Sequence, residues 1–159
     1  MRPFRTSSEK DEISKVEAES IAFLRTLDRP RVLEIGSRDV SKVLNNNIFP
    51  NASEYVGFDI LSGDNVDVVG DAHELASYFP ENSFDIIYSS SVFEHLMFPW
   101  QVALECNKIL KTGGYIMTRT HPVWPEHEMP WDFWRFPRNS FLAMFNPVTG
   151  FEVVHTVEG

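Results

Sequence analysis

Three acidic side chains follow apolar runs of the kind that form short buried strands. Glu34 precedes Gly36 at the end of the first run, and Asp59 and Asp71 close the next two. The carboxyl ends of parallel strands meet at one edge of an open α/β sheet, where such sheets bind ligands. Asp59 stands about 20 residues beyond the glycine, the spacing at which a carboxylate can accept the hydrogens of two ribose hydroxyls. These residues predict a nucleoside-binding edge; the other role open to Asp59 is to cap a turn.

A single glycine marks the turn after the first apolar run. Gly36 is followed by Ser37, Arg38 and Asp39 rather than by further glycines. Glycine lets the backbone turn sharply and lets a ligand approach the main chain closely. A dinucleotide pyrophosphate requires the spacing Gly-x-Gly-x-x-Gly, which this turn lacks. The turn therefore argues strongly against a dinucleotide such as NAD.

Strands that alternate with helices must position these residues. Apolar periodicity and turn residues predict helices over 8–27, 39–44, 75–79, 92–110 (interrupted around Pro99) and 139–145, and strands over 31–36, 54–60, 66–69, 84–89, 115–120 and 151–157. This alternation predicts a doubly wound, mostly parallel α/β sheet with right-handed crossovers and helices on both faces. Strand 84–89 is apolar on both faces, which predicts a central position in the sheet.

One segment, 122–137, interrupts this alternation and is called the aromatic loop below. It holds four prolines, three tryptophans and two phenylalanines. Proline at this density prevents a long helix or a paired strand. The sequence therefore predicts an irregular segment here.

Length, charge and cysteine content narrow the class of protein. The chain has 159 residues, which corresponds to one domain over 1–159, and its net charge of −9 disfavours nucleic acid or an anionic membrane as a partner. Cys106 is the only cysteine, so no intramolecular disulfide can form, as is usual in a reducing cytoplasm. No apolar run predicts a signal peptide or a membrane span. We therefore expect a cytoplasmic protein.

From about Val32 to Val154 the chain resembles the class I S-adenosylmethionine-dependent methyltransferases, in particular the type 11-like group. The segments that carry the resemblance occur in the family's order and are Val32–Gly36, Tyr55–Ile60, Gly70–Leu75, Phe84–Ser90 with Phe93–Leu96, and Lys108–Tyr115. The resemblance implies a Rossmann-like fold, S-adenosylmethionine as cofactor and in-line methyl transfer. The family's first segment usually contains two or three glycines, whereas this one contains only Gly36.

The resemblance also implies where the cofactor binds. Glu34 and Gly36 would hold its amino-acid end, which needs a less close backbone approach than a pyrophosphate does. Asp59 would bind the ribose and Asp71 the adenine amino group. The implied binding set is completed by Ser37, Asp39, Ile60, Ala72, His73, Ser89 and Ser90.

Several of these assignments have alternatives. His73 is equally able to flank the adenine or to face solvent. Ser89 and Ser90 would leave room for the sulfonium, or they are ordinary polar residues at a strand end. Arg38 would pair with the cofactor carboxylate, or it is a surface charge.

Methyl transfer needs a general base only if the acceptor carries a proton at the reaction pH. The candidates are Glu94, His95, His121 and Asp132. The adjacent Glu94 and His95 more often support the fourth strand, and His121 follows the fifth strand next to a proline. Some quinone-type O-methyltransferases hold a metal with a further carboxylate three residues before the glutamate. Ser91 occupies that position, so the sequence predicts no metal.

The aromatic loop lies where the resembled family varies its acceptor pocket. The stretch Trp131–Phe136 resembles one in members associated with glycan and cell-surface polysaccharide synthesis. Aromatic faces stack on sugar or ring acceptors, and Asp132 and Arg135 would supply hydrogen bonds. We therefore expect a lid on the acceptor side for a small-molecule or glycan acceptor. The alternatives are a lid packed on the core and a dimer contact.

The end of the chain raises a further expectation. The family's sheet normally closes with an antiparallel hairpin, and the sequence stops at Gly159 before its last strand. An exposed strand edge favours pairing with another chain, so we expect either a homodimer or a shortened form of a longer protein. A cofactor-binding module without catalysis is the alternative function, motivated by the reduced glycine motif and the early ending.

Overall fold

The computed structural model describes residues 7–40 and 48–156. In chain order the main elements are α1 (Ser7–Leu24), β1 (Arg31–Ile35), β2 (Glu54–Asp59), β3 (Val68–Val69), α2 (Leu75–Tyr78), β4 (Phe84–Ser90), α3 (Pro99–Ile109), β5 (Leu110–Arg119) and α4 (Arg138–Met144). Single turns of 3-10 helix cover Ala72–Glu74, Phe93–His95 and Pro147–Thr149.

The five strands form one parallel sheet in the order β3-β2-β1-β4-β5. Ile35 at the end of β1 stands between Phe58 of β2 and Ser89 of β4, so the carboxyl ends of these three strands are level. The order reverses at β1, which places a topological switch point beside the glycine turn. The predicted doubly wound α/β fold and the interior position of the fourth strand are confirmed.

Each face of the sheet has its own apolar core because successive strand residues point to opposite faces. Leu33 packs in one cluster with Ile109 of α3. Its neighbour Val32 packs in the other cluster with Leu24 of α1. Burial on both faces explains why β1 and β4 consist of nearly continuous apolar residues.

Most boundaries agree with the sequence within a few residues, and two differences have clear causes. The predicted helix over 92–110 is split, and α3 begins at Pro99, where a missing backbone donor does no harm. β5 begins at Leu110, earlier than predicted, because Leu110 already pairs with Phe84 before an irregularity that precedes Tyr115. The helix predicted over 39–44 falls largely on residues 41–47, outside the described part of the chain.

The final strand predicted over 151–157 is wrong for the described residues, because 151–156 form no strand. The alternation that suggested it does exist, since Phe151 and Val153 pack against the core while Glu152 and Val154 are exposed. A strand also needs a partner for its backbone groups, and within 7–40 and 48–156 this segment is paired with none. Side-chain packing alone therefore produces the pattern.

The aromatic loop contains neither helix nor strand, as predicted.

Among the helices of residues 7–40 and 48–156, none combines the length and apolar character needed to cross a membrane.

Candidate active site at the carboxyl edge of the sheet

The glycine turn is a tightly bonded corner. Gly36 has φ +77°, and a Cβ added to it would lie 2.1 Å from Cγ2 of Val92. The backbone N–H groups of Gly36 and Ser37 both donate to the carbonyl of Phe58, at 2.8 and 3.2 Å. In this conformation those two donors are engaged inside the protein. Other groups at the turn must therefore carry any contact with the amino-acid end of a cofactor.

Glu34 lies beneath the edge of the sheet rather than on it. Its side chain is 2% exposed, and Oε2 accepts a hydrogen bond of 3.0 Å from the hydroxyl of Tyr55. Burial raises the pKa of Tyr55 strongly, and the charge of Glu34 raises it further. Tyr55 therefore stays protonated and holds the carboxylate in place.

Asp59 is fixed at the end of β2. Its carboxylate accepts backbone hydrogen bonds from Arg38 and Leu61, at 3.2 and 2.9 Å. The Arg38 Nε lies 3.7 Å from Oδ1, so Arg38 pairs with Asp59 and is not an isolated surface charge. Ile60 follows with an exposed side chain. Two oxygens with four lone pairs leave Asp59 able to accept hydroxyl hydrogens as well.

Asp71 and its neighbours join the same edge. The N–H of Gly70 donates to the carbonyl of Asp59 at 2.9 Å, which brings the two aspartate segments together. Ala72 is buried. The Asp71 carboxylate accepts hydrogen bonds from the backbone and the ring of His73. Burial acts to raise the pKa of Asp71, but these bonds outweigh it and lower the pKa below its ordinary value.

His73 is engaged at both ring nitrogens. Its Nδ1 lies 2.6 Å from Asp71, and its Nε2 accepts from the backbone N–H of Phe98 at 3.1 Å. The side chain thus ties the end of β3 to the segment before α3.

Several buried polar atoms near this edge have no hydrogen-bond partner among the described residues. They are Ser37 Oγ, Arg38 Nε, Asp39 Oδ1 and Ser89 Oγ. Ser90, by contrast, accepts from the Arg119 guanidinium at 3.3 Å. Buried polar groups without a partner are costly and rare, and a ligand that binds at this edge would satisfy them. Their mixture of donors and acceptors suits a ligand with hydroxyl, amine and carboxylate groups.

A second group of polar side chains lies beyond Val92. Glu94 is fully buried, and Oε2 accepts from the hydroxyl of Thr120 at 2.5 Å. Its backbone carbonyl accepts from the N–H groups of Phe133 and Trp134. Glu94 therefore holds both β5 and the aromatic loop. No sequence pattern indicates this role of Thr120, because the role depends on how the chain folds after β5.

The side chain of His121 is 31% exposed, whereas that of Glu94 is 0% exposed. Its Nε2 lies 3.2 Å from Ser91 Oγ and 3.9 Å from Glu94 Oε1, and its ring stacks on Trp124. Burial lowers the pKa of His121 below its ordinary value, although the Glu94 charge acts in the opposite direction. Ser91 adopts a positive φ of 56°, an uncommon conformation for a residue other than glycine.

His95 is anchored to the aromatic loop rather than directed at the glycine turn. Its Nδ1 lies 2.8 Å from the carbonyl oxygen of Trp131. Its ring contacts that of His127 edge to face, with 4.8 Å between centroids. Sequence reasoning missed His127, because it stands in a proline-rich segment without periodicity.

Asp132 and Arg135 hold the aromatic loop together. The guanidinium donates to both carboxylate oxygens, at 2.6 and 2.8 Å, and to the carbonyls of Trp124, Pro125 and Trp134. The Arg135 hydrogen bonds hold the pKa of Asp132 far below its usual range. Such a carboxylate is a poor base, so Asp132 is excluded as the general base in this arrangement.

The aromatic loop is held together by the bonds of Arg135, and it exposes several aromatic rings. Trp124, Trp131, Phe133 and Trp134 are between 37% and 58% exposed. The Trp124 ring stacks on His121, and the backbone N–H groups of Phe133 and Trp134 donate to the carbonyl of Glu94. The arrangement offers an aromatic surface next to the carboxyl edge of the sheet.

Comparison with known proteins identifies one family. A family model described as a methyltransferase domain matches residues 32–118. None of the curated proteins compared with the chain matches it.

Solved structures share the fold. The [4+2]-cyclase SpnF matches with a TM-score of 0.64 and 18% identity, over 87% of this chain and 58% of that one. The YcgJ protein from Bacillus subtilis gives 0.52 and 23% identity, over 65% and 51%. An S-adenosylmethionine-dependent methyltransferase from Mesorhizobium loti gives 0.51 and 19% identity, over 67% and 54%. The chain thus spans little more than half of each of these structures.

Proposed function

This chain belongs to the methyltransferase-domain family, and we propose that it binds S-adenosylmethionine at the carboxyl edge of β1, β2 and β3 and transfers the methyl group to a small-molecule or glycan acceptor. The observation that carries the proposal is a set of buried polar atoms around the glycine turn, at Ser37, Arg38, Asp39 and Ser89, that have no hydrogen-bond partner among the described residues.

Residues along this edge suit the parts of the cofactor. Asp59 accepts from the two ribose hydroxyls, because its carboxylate is already oriented by the N–H groups of Arg38 and Leu61. Asp71 accepts from the adenine amino group, and Ala72 meets the ring through its main chain. Because the N–H groups of the glycine turn are engaged, the side chains of Ser37 and Asp39 contact the amino-acid end.

When bound, S-adenosylmethionine supplies an electrophilic methyl group on a sulfonium. The acceptor atom attacks that carbon in line as the carbon–sulfur bond breaks, so the protein acts by aligning the two molecules and excluding water. The small side chain of Ser89 leaves room at the sulfur. If the acceptor atom carries a proton, His121 is the group placed to receive it, because its side chain is partly exposed beside Trp124 and Glu94 is buried.

The aromatic loop supports a sugar or ring acceptor. Exposed tryptophan faces stack favourably on such molecules, and the loop presents the exposed rings of Trp124, beside His121, and of Trp131. The alternative is a cofactor-binding module without catalysis. It is favoured by the structural contacts of two catalytic candidates, since the Glu94 side chain is bonded to Thr120 and the His95 ring to the backbone of Trp131.

Isothermal titration with S-adenosylhomocysteine tests the first half of the proposal. We expect one binding site for this product and none for NAD. Failure to bind it would overturn the function. A second assay follows transfer of a labelled methyl group from S-adenosylmethionine to a panel of sugar nucleotides. Binding without transfer to any acceptor would support the module.

A further inference from the structure

Three side chains beyond the glycine turn bring potential metal ligands together. Glu94, His95 and His127 each offer one ligand atom, and these atoms all lie within 4.8 Å of one another. Glu94 and His95 belong to the 3-10 turn after β4, whereas His127 comes from the aromatic loop. We call this set the Glu–His–His cluster.

Both histidines are oriented by hydrogen bonds at the same ring nitrogen. The Nδ1 of His95 lies 2.8 Å from the carbonyl oxygen of Trp131, and that of His127 lies 3.1 Å from the carbonyl oxygen of Pro125. A carbonyl oxygen only accepts, so each Nδ1 must carry the hydrogen, and each Nε2 keeps its lone pair. Metal-binding histidines characteristically donate their second N–H to a carbonyl or carboxylate in this way.

The carboxylate of Glu94 supplies an independent observation. Its Oε2 is satisfied by Thr120, but Oε1 is buried without a hydrogen-bond partner among the described residues. The nearest basic nitrogen recorded for it, Nε2 of His121, is 3.9 Å away. A buried carboxylate oxygen without a partner is strongly unfavourable. A bound cation would remove this penalty.

We propose that the Glu–His–His cluster binds a divalent transition-metal ion of the Zn²⁺ class through Glu94 Oε1 and the Nε2 atoms of His95 and His127. Imidazole nitrogen and carboxylate oxygen are ordinary zinc ligands, whereas Mg²⁺ and Ca²⁺ prefer oxygen alone. Ligand bonds of about 2.1 Å separate tetrahedral ligands by about 3.4 Å. Binding would therefore draw the loop inward by on the order of 1 Å.

The site joins two parts of the chain that the sequence keeps apart. The ion would fasten the aromatic loop to the turn after β4. The sequence predicted no metal because Ser91 replaces a carboxylate, but that reasoning considered only one stretch of chain. Here His127 supplies the third ligand from another segment. Metal binding is independent of methyl transfer, so either can fail without the other.

The test is a zinc titration of the tag-free, chelator-treated chain by calorimetry. We expect one Zn²⁺ per chain, and His127→Gln should weaken binding at least tenfold, about 1.4 kcal/mol. His95→Gln should have a similar effect. His155→Gln is the matched control, since His155 is exposed and lies outside the cluster. It should leave the affinity unchanged.

Cobalt substitution provides a second readout, because visible absorption of bound Co²⁺ reports on its coordination. His127→Gln should abolish that absorption. Should His95→Gln fail to fold, His127→Gln still decides the matter. Its backbone N–H keeps the bond to Asp132, and thermal unfolding checks that losing the ring contacts with Pro125 and Asp132 leaves the chain folded. Absence of stoichiometric zinc binding, or an affinity that His127→Gln leaves unchanged, would overturn the site.

Discussion

The imidazole of His73 is bonded to the carboxylate of Asp71, with Nδ1 and Oδ1 2.6 Å apart. Its other ring nitrogen accepts from the N–H of Phe98, so one side chain links the end of β3 to the entrance of α3. The link fixes the direction in which Asp71 presents its remaining lone pairs. In this structure His73 therefore positions Asp71.

Replacing His73 with alanine should therefore affect both stability and binding. Loss of the bonds to Asp71 and Phe98 should lower the free energy of unfolding by about 1 kcal/mol, as for typical hydrogen bonds. The affinity for S-adenosylhomocysteine should fall roughly fivefold, or about 1 kcal/mol. Urea unfolding and calorimetry measure the two effects, with His155→Ala as control. Unchanged values in both assays would contradict the positioning role.

Asp59→Ala tests the ribose assignment. Removing the carboxylate should weaken binding of S-adenosylhomocysteine at least tenfold, about 1.4 kcal/mol or more. The control is Asp28→Ala, an exposed aspartate before β1, which should bind normally. Thermal unfolding checks that the variant is folded, because Asp59 also accepts the N–H groups of Arg38 and Leu61. An unaltered dissociation constant in a folded Asp59→Ala chain would remove the ribose assignment.

Gly36→Ala should destabilise the chain for two separable reasons. A Cβ would lie 2.1 Å from Val92, and alanine is strained at φ +77°. Overpacking and left-handed strain together predict a loss of about 2–4 kcal/mol. Adding Val92→Ala relieves the clash but not the strain. The double variant should therefore lose less free energy of unfolding than the sum of the losses in the two single variants. Strict additivity in urea unfolding would show that Val92 does not restrict position 36.

Asp85 should make stability depend on pH in the acid range. Its carboxylate accepts from Lys111 Nζ and from the backbone N–H of Arg31. Burial acts to raise its pKa, but these two partners outweigh burial and lower the pKa below its ordinary value of 3.8. The unfolded chain therefore binds the proton more readily, and the stabilisation is present above pH 3.8 and lost as pH falls through the lower, folded-state pKa.

The corresponding variant is Asp85→Asn. At neutral pH it should be less stable than the parent by about 1 kcal/mol, since the pair is partly exposed and screened by solvent. The difference should shrink as the pH is lowered below the ordinary aspartate pKa. Urea unfolding over a pH series measures it, with Asp28→Asn as control. A difference independent of pH would assign the effect to the lost backbone contact alone.

Sequence reasoning succeeds where local pattern and burial agree. β1 and β4 are apolar because both faces of the sheet are covered there. Their continuous apolar residues therefore predicted both strands directly. The prediction of a strand was wrong for residues 151–156. Alternation of apolar and polar residues indicates which side chains are buried, but it does not indicate whether a partner strand is present.

The same distinction separates the residues of the candidate site that the sequence predicted from those that it did not. Asp59 and Asp71 were found because each follows a strand, and strand ends converge by rule. The roles of Thr120 and His127 were not predicted, because their positions depend on the path of a loop rich in proline. No periodicity encodes that path. The engagement of the Gly36 N–H by Phe58 likewise depends on a neighbouring strand that local sequence does not specify.

The frame of the aromatic loop is built from Asp132, Arg135 and the backbone carbonyls that Arg135 contacts. Among the exposed rings, that of Trp134 adds to the frame by donating from Nε1 to the carbonyl of Leu96, whereas the rings of Trp124 and Trp131 contact those of His121 and Phe133. Trp124 and Trp131 can therefore be exchanged for other side chains without dismantling the scaffold beneath them. Evolution, or a protein engineer, can thus change what this surface recognises one ring at a time while the chain still folds.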